Sequence, residues 1–410
     1  MNPPRPTAVA SATPQPNPRS AAAGDPIPLL DLKEQYRGLR DEILPLLEAI
    51  CDSQQFILGR HVTELEQSVA AYCGARFGIG VSSGTDALTL ALMALSIEAG
   101  DEVITSPFTF FATAGTIARA GVRPVFCDIE RDTFNLSPQR VREFIERDCE
   151  RRDGGLVNRR TGGRVRALMP VHLYGQCADM TAFSAIAAEH GLATIEDAAQ
   201  AIGAEHAGRR AGGLGTIGCL SFFPTKNLGA FGDAGMCTTQ DAALAERMQM
   251  LRVHGARVRN HHELLGANFR IDELQAAVLV VKFKRLEQWT AARQRNAAHY
   301  DAQFRAAGLH ERIGLPAHRP GDRHVYNQYV IRAPRRDALR AFLAERGIGS
   351  EVYYPVPLHR QPCFAELGIA EGALPQAESA AREVLALPIY PELRPQQLDR
   401  VVSAIAEFFR

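Results

Sequence analysis

This chain predicts a mostly parallel α/β sheet covered by helices on both faces, followed by a smaller C-terminal α+β domain. Three observations carry the prediction. Short apolar or β-branched runs alternate with helical stretches between residues 77 and 223. Several of those stretches have recognisable starts and stops. Beyond residue 300 the runs shorten, and the 410 residues suit two domains of about 150 residues or more.

The strand candidates are 77–81, 102–105, 124–128, 167–171, 192–196 and 218–223. Ser137 reads as an N-cap with Pro138 at the first helical position, and Val141, Phe144 and Ile145 form the apolar face of that helix. Residues 181–191 read as another helix, with Phe183, Ile186 and Ala187 inward and Gly191 as the stop. One long amphipathic stretch from Asp272 to Tyr300 links the two domains, with Leu274, Val278, Val281, Leu286 and Trp289 among its apolar positions. The remainder predicts strands at 326–331 and 349–354 and helices at 336–346, 377–385 and 396–409. The expected division is a tail over 1–26, a large domain over 27–290 and a small one over 291–410.

Composition excludes several roles. The 46 basic and 46 acidic residues cancel, so no electrostatic footprint for nucleic acid or an anionic membrane exists. No apolar run approaches the roughly 18 residues that span a bilayer. Six of the first 25 residues are proline, and such a segment buries too little apolar surface to order itself. It reads as a disordered tail on a cytoplasmic protein. The eight cysteines form no C-x-x-C pair and read as small buried hydrophobes.

Only four lysines occur, at 33, 226, 282 and 284, so chemistry that needs an amine has four candidates. Lys282 and Lys284 fall near Arg285 and Glu287, the usual surroundings of solvated charge. Lys226 follows an apolar run and a proline inside Ser221-Phe-Phe-Pro-Thr-Lys226-Asn-Leu-Gly229, a glycine-flanked turn. An amine held in a partly dry site loses proton affinity and attacks aldehydes. Ser82-Ser-Gly84-Thr85-Asp86 sits between a strand and a helix, where free N–H groups receive phosphate, or where a serine simply caps the helix. Asp197 closes an apolar run in Ile195-Glu-Asp-Ala-Ala-Gln200, either pairing with a cationic ring nitrogen or capping the next helix. The aromatics of Phe108-Thr-Phe110-Phe111 offer a stacking face or core packing. Phosphate cradle, carboxylate and lysine are together the parts that pyridoxal phosphate needs. The match of Gly213, Gly215 and Gly218 to G-x-G-x-x-G is rejected as a nicotinamide site, because polar residues precede it and a strand follows.

These segments resemble the DegT/DnrJ/EryC1/StrS family of pyridoxal-phosphate-dependent nucleotide-sugar aminotransferases. Further matches are Gln55-Phe-Ile-Leu-Gly59, Pro170-Val-His-Leu-Tyr-Gly-Gln176, Gly266-Ala-Asn268-Phe-Arg-Ile-Asp-Glu-Leu-Gln275 and Tyr353-Tyr354-Pro-Val-Pro-Leu-His359. The resemblance implies transferase fold type I, with a mostly parallel seven-stranded sheet. It implies that Lys226 forms the imine with the cofactor, Asp197 pairs with its ring nitrogen, Phe110 stacks on the ring and Gln200 lies beside its hydroxyl. Gly84, Thr85, the Asp86 backbone and Ser221 would hold the phosphate, with Asn268 arriving from the partner of a homodimer with shared active sites. L-glutamate would donate the amino group to a dTDP- or UDP-linked keto-sugar, at C3 by the Val171–Gln176 match, with C4 the alternative. A regulatory pyridoxal-phosphate protein without turnover is the more distant one. Tyr353, Tyr354 and His359 would lie near the sugar, and Arg252, Arg257, Arg259 and Arg270 are candidates for its diphosphate.

Overall fold

The computed structural model describes residues 25–410. All but the last two residues of the expected N-terminal tail therefore lie outside the described part. Seven strands form the path of the main sheet: β1 (Phe77–Val81), β2 (Glu102–Thr105), β3 (Arg123–Phe126), β4 (Arg164–Met169), β5 (Ala193–Asp197), β6 (Ile217–Ser221) and β7 (Gly235–Thr239). Their spatial order is β1-β7-β6-β5-β4-β2-β3. Only β7 runs antiparallel to its neighbours; the other pairings along the path are parallel. Every residue of β2 and four of the five in β5 are buried, as strands covered on both faces require. A hairpin, Cys149–Arg152 with Gly155–Asn158, extends the sheet beside β4, where no element was expected.

The local signals mark the helices well. Helix α1 (Arg60–Cys73) precedes β1, and α2 (Gly84–Ala94) follows it with Ser83 as cap. The helix Pro138–Asp148 is capped by Ser137 and buries Val141 and Ile145. Met180–His190 starts one residue before the expected helix because Asp179 accepts from the Ala182 N–H, and Gly191 ends it with a left-handed φ of 68°.

The stretch predicted as one long helix is two, α3 (Glu273–Phe283) and α4 (Leu286–Ala306), with a turn at Lys284 and Arg285. The reason lies in packing. Helix α3 is enclosed, burying Ala276 through Lys282 without interruption, whereas α4 is a bridging helix. Leu286 joins the core under the sheet, and Ala297, Tyr300 and Phe304 join the core of the C-terminal part. The expected boundary at 290 falls inside α4.

In the C-terminal part, β8 (Tyr329–Arg332) pairs antiparallel with β9 (Val384–Leu387). Strand β9 corrects the predicted helix 377–385, whose helical portion stops at Glu383. The predicted strand 349–354 makes only an isolated bridge from Glu351 to Ala386. Its start is taken by the chain's other end: Ile27 N–H donates to Gly347 O and Gly349 N–H donates to Ile27 O, both at 2.8 Å. Among the described residues, no helix is long and apolar enough to cross a membrane.

One buried carboxylate ties α3 to α1. The Glu273 carboxylate, 2% exposed, accepts from the His61 N–H at 2.8 Å, lies 2.7 Å from His61 Nδ1 and accepts from the Val62 N–H at 3.3 Å. It caps a helix whose own N-cap, Gly59, has no side chain, and a Cβ at Gly59 would lie 2.6 Å from Glu273 Cδ. Replacing Glu273 by alanine leaves buried donors unpaired and should cost about 2–3 kcal/mol. A melting temperature unchanged in the Glu273→Ala protein would contradict that role.

Candidate active site

Strands β5 and β6 lie side by side and parallel, with Asp197 opposite Cys219. Their carboxyl ends are where open α/β sheets bind ligands. After Ser221 the ladder breaks at Pro224 and the chain turns through Lys226 to Gly229. Three backbone bonds hold the turn: Phe222 N–H to Ala234 O, Lys226 N–H to Phe223 O and Ala230 N–H to Phe222 O, at 2.8–2.9 Å. Only glycine fits at 229, since a Cβ there would lie 2.3 Å from Pro224 O. Lys226 is partly buried, and desolvation pushes its pKa down to about 8 while the charge of Asp197 pulls it up. A minority of it, far larger than for a solvated lysine, is therefore a neutral, nucleophilic amine near physiological pH.

Asp197 is 5% exposed. Thr113 Oγ1 donates to it at 2.7 Å and the Ala199 N–H at 3.3 Å. Burial raises its pKa above the usual carboxylate range, and those two bonds, Lys226 and His172 offset part of the rise. No helix follows Asp197, so the capping alternative falls away.

At the start of α2 both readings hold in part. Ser83 Oγ accepts from the Asp86 N–H at 3.0 Å, and the Asp86 carboxylate turns back to the hydroxyls of Ser82 (2.6 Å) and Ser83 (3.0 Å). The Asp86 N–H, expected on a phosphate, is thus already engaged. The Gly84 and Thr85 N–H groups have no partner among the described residues. Gly84 packs directly on Ser221: a Cβ there would lie 2.6 Å from Ser221 Cβ.

Phe108 is a core residue at 1% exposure, and Phe110, 58% exposed, is the free face. The Tyr354 ring lies 6.4 Å from that of Phe110. Gln200 is latched at both ends: its Oε1 accepts from the Tyr174 N–H at 2.7 Å and its Nε2 donates to Tyr354 Oη at 3.0 Å. The Tyr353 carbonyl accepts from the Tyr174 hydroxyl. Exposed Asn268 lines a cavity of about 390 Å³ together with Ser82, Asp233, Arg270 and Gln275.

Two expectations are corrected. The His359 ring, expected beside a sugar, is covered completely and bonds Glu378 at 3.1 Å. Arg252, a diphosphate candidate, is 8% exposed and spends its guanidinium on Glu66 (2.5 Å) and the Gly80 carbonyl (3.0 Å). Exposed Arg257 pairs with Glu246 at 2.5 Å.

Sequence reasoning missed the support beneath Asp197. Glu196 points to the opposite face of β5, fully buried, and accepts from the N–H groups of Gly212 (2.8 Å), Leu214 (2.8 Å) and Gly215 (2.7 Å). The glycine-rich loop set aside as a dinucleotide site thus encloses an anion, and the anion is the protein's own carboxylate. His172 completes the set. Its Nδ1 accepts from the Ala178 N–H at 3.1 Å, so Nε2 carries the proton and donates to Glu196 at 3.0 Å. The His172 N–H in turn donates to the Asp197 carbonyl at 3.0 Å. The signal available was the glycine loop itself, once its partner was sought inside the chain.

The group a pyridoxal-phosphate site must hold fits these residues. Two unpaired N–H groups at a helix start meet Ser221 without intervening side chains, a buried carboxylate lies across, and a desolvated amine is within reach of its charge.

Residues 38–406 match the model of the DegT/DnrJ/EryC1/StrS aminotransferase family. The chain is 50% identical over 384 residues to a pleiotropic regulatory protein of Geobacillus stearothermophilus, covering 94% of this chain and 99% of that one. It is 42% identical over 379 residues to the UDP-N-acetyl-3-dehydro-alpha-D-glucosamine 3-aminotransferase of Acidithiobacillus ferrooxidans, covering 92% and 97%. The crystal structure of S. venezuelae DesV in complex with a ketimine intermediate superposes with a TM-score of 0.87 at 42% identity, covering 94% of this chain and 99% of DesV.

The depressed Lys226 pKa has a consequence for stability. The folded protein binds its proton less tightly than the unfolded chain, so the site costs stability below pH 8, and the cost fades as pH rises from about 8 to 10.5. In the cofactor-free protein, Lys226→Met should therefore raise the unfolding free energy at pH 7 by about 2–3 kcal/mol. The gain should shrink toward pH 10.5; denaturant titrations giving a pH-independent gap would contradict it.

Proposed function

Because the chain belongs to the DegT/DnrJ/EryC1/StrS aminotransferase family, we propose that it transfers the amino group of L-glutamate to C3 of a UDP- or dTDP-linked keto-sugar in amino-sugar biosynthesis. Pyridoxal phosphate is the family's cofactor. The observation that carries the reading is the desolvated Lys226 amine within the field of buried Asp197. The position of amination is supported by the relative named as a 3-aminotransferase of a UDP-sugar.

Bound at this site, the cofactor supplies an aldehyde carbon and an electron-accepting ring. The chain's residues do the rest. Gly84, Thr85 and Ser221 would hold the phosphate, Phe110 would give the ring a flat face, and Gln200 would serve its hydroxyl side. Asp197 would favour a proton on the ring nitrogen, an attraction that is stronger where little water competes. Lys226 would hold the aldehyde carbon, and its free amine would take and return a proton at the donor's α-carbon, roles suited to a pKa near 8. Tyr353 and Tyr354 lie where the acceptor sugar enters. The reading takes the protein to be a cytoplasmic homodimer in which Asn268 of one protomer closes the phosphate site of the other.

The name of the Geobacillus relative favours a second reading, a regulatory pyridoxal-phosphate protein without turnover. A glutamate half-reaction separates the two. The enzyme should convert glutamate to 2-oxoglutarate once per bound cofactor, and then accept 3-keto in preference to 4-keto nucleotide sugars. No 2-oxoglutarate would favour the regulatory reading. Lys226→Ala should abolish turnover, and Asp197→Asn should slow α-proton removal by about 10²-fold or more. Wild-type rates in either variant would overturn the assignment.

A further inference from the structure

Two of the four lysines are desolvated, and the reaction uses only one. Lys282 was expected among solvated charges, yet it is 4% exposed on α3. Its Nζ donates to the Gly229 carbonyl at 2.6 Å and lies 5.4 Å from the centre of the Phe231 ring. The cavity of about 300 Å³ beside it is lined by Leu32, Gln35, Tyr36, Pro224, Ala230 and Phe231, with no carboxylate among them. Burial pushes the Lys282 pKa down to about 8, and no neighbouring charge offsets the shift. A buried ammonium without a counter-ion is costly. Here its polar partner is a single carbonyl.

That carbonyl belongs to the turn that carries Lys226. Gly229 cannot take a side chain against Pro224. Seven residues earlier, two turns along α3 and on the same face, Gln275 Oε1 accepts from the Phe231 N–H at 2.8 Å. Helix α3 therefore grips the turn at two points. On the other side Asn227 Nδ2 donates to Val325 O at 2.9 Å. Lys226 stands one residue before the first of these grips.

We propose that Lys282 is a positioning residue for aminotransfer: its bond to the Gly229 carbonyl, with the Gln275 bond to Phe231, fixes the turn that aims Lys226 at Asp197. The proposal rests on the role given to Lys226 above. Lys282→Met keeps the apolar stem and removes the amine, and Lys282→Arg keeps a charged donor. In cofactor-free Lys282→Met, amide exchange across 224–231 should rise about tenfold while the distant helix Pro395–Phe408 stays unchanged. With cofactor and glutamate, its maximal single-turnover rate of 2-oxoglutarate formation should fall about tenfold, or about 1.4 kcal/mol, at an unchanged half-saturating glutamate concentration. The pH midpoint of the bound cofactor's visible absorbance should shift, and Lys282→Arg should recover most of each loss. Should Lys282→Met not fold, Gln275→Leu carries the test, with the same local rise in exchange expected. Exchange unchanged at 224–231, exchange raised equally throughout, or an arginine variant no better than methionine would each overturn the proposal. Those results leave Lys226 standing if Lys226→Ala is inactive; an active Lys226→Ala ends the underlying reading instead.

Discussion

The structure depends on keeping one amine and one carboxylate partly out of water within reach of each other's charge. Lys226 loses proton affinity through burial and regains some from Asp197, and burial shifts Asp197 the opposite way, offset in part by its bonds from Thr113 and Ala199 and by the charge of Lys226. Neither group would be useful alone. A fully solvated lysine stays protonated, and a fully solvated aspartate cannot hold a proton on a neighbouring nitrogen. The fold supplies the juxtaposition by laying β5 and β6 in parallel, so that both chains leave the sheet at the same edge.

Holding Asp197 there requires a second, hidden carboxylate. Successive residues of a strand face opposite ways, so Glu196 points below while Asp197 points into the site. Four donors satisfy Glu196, from His172 and from the Gly212–Gly215 loop. A buried carboxylate met by fewer would be a liability of several kcal/mol. The glycines let the backbone come that close. The same economy holds at Gly84 against Ser221 and at Gly229 against Pro224.

Much of this was legible in the chain because the governing interactions are local. The run at 77–81 and the serine, aspartate and glycine caps act within a few residues, and the observed elements begin and end near them. Lys226 stood out because its immediate neighbours are a strand end, a proline and glycines. What escaped is long-range. Lys282 has charged residues close in sequence but an apolar wall in space, and its carbonyl partner is 53 residues away. His359 bears the motif's look of a substrate contact, yet Glu378 draws its ring inward. The segment 349–354 ends in β-branched and aromatic residues that suit a strand, but its first residues pair with Ile27 at the other end of the chain. The hairpin after residue 149 is rich in charge and offers no apolar run to read.

Among four lysines, burial pushes the pKa of two down to about 8, so the account stands or falls on which one meets the cofactor. Loading the protein with pyridoxal phosphate, reducing with borohydride and mapping the modified peptide by mass spectrometry answers this directly. The account predicts one pyridoxyl group per chain, on Lys226. A stoichiometric adduct on Lys282, or no adduct at all, would contradict it.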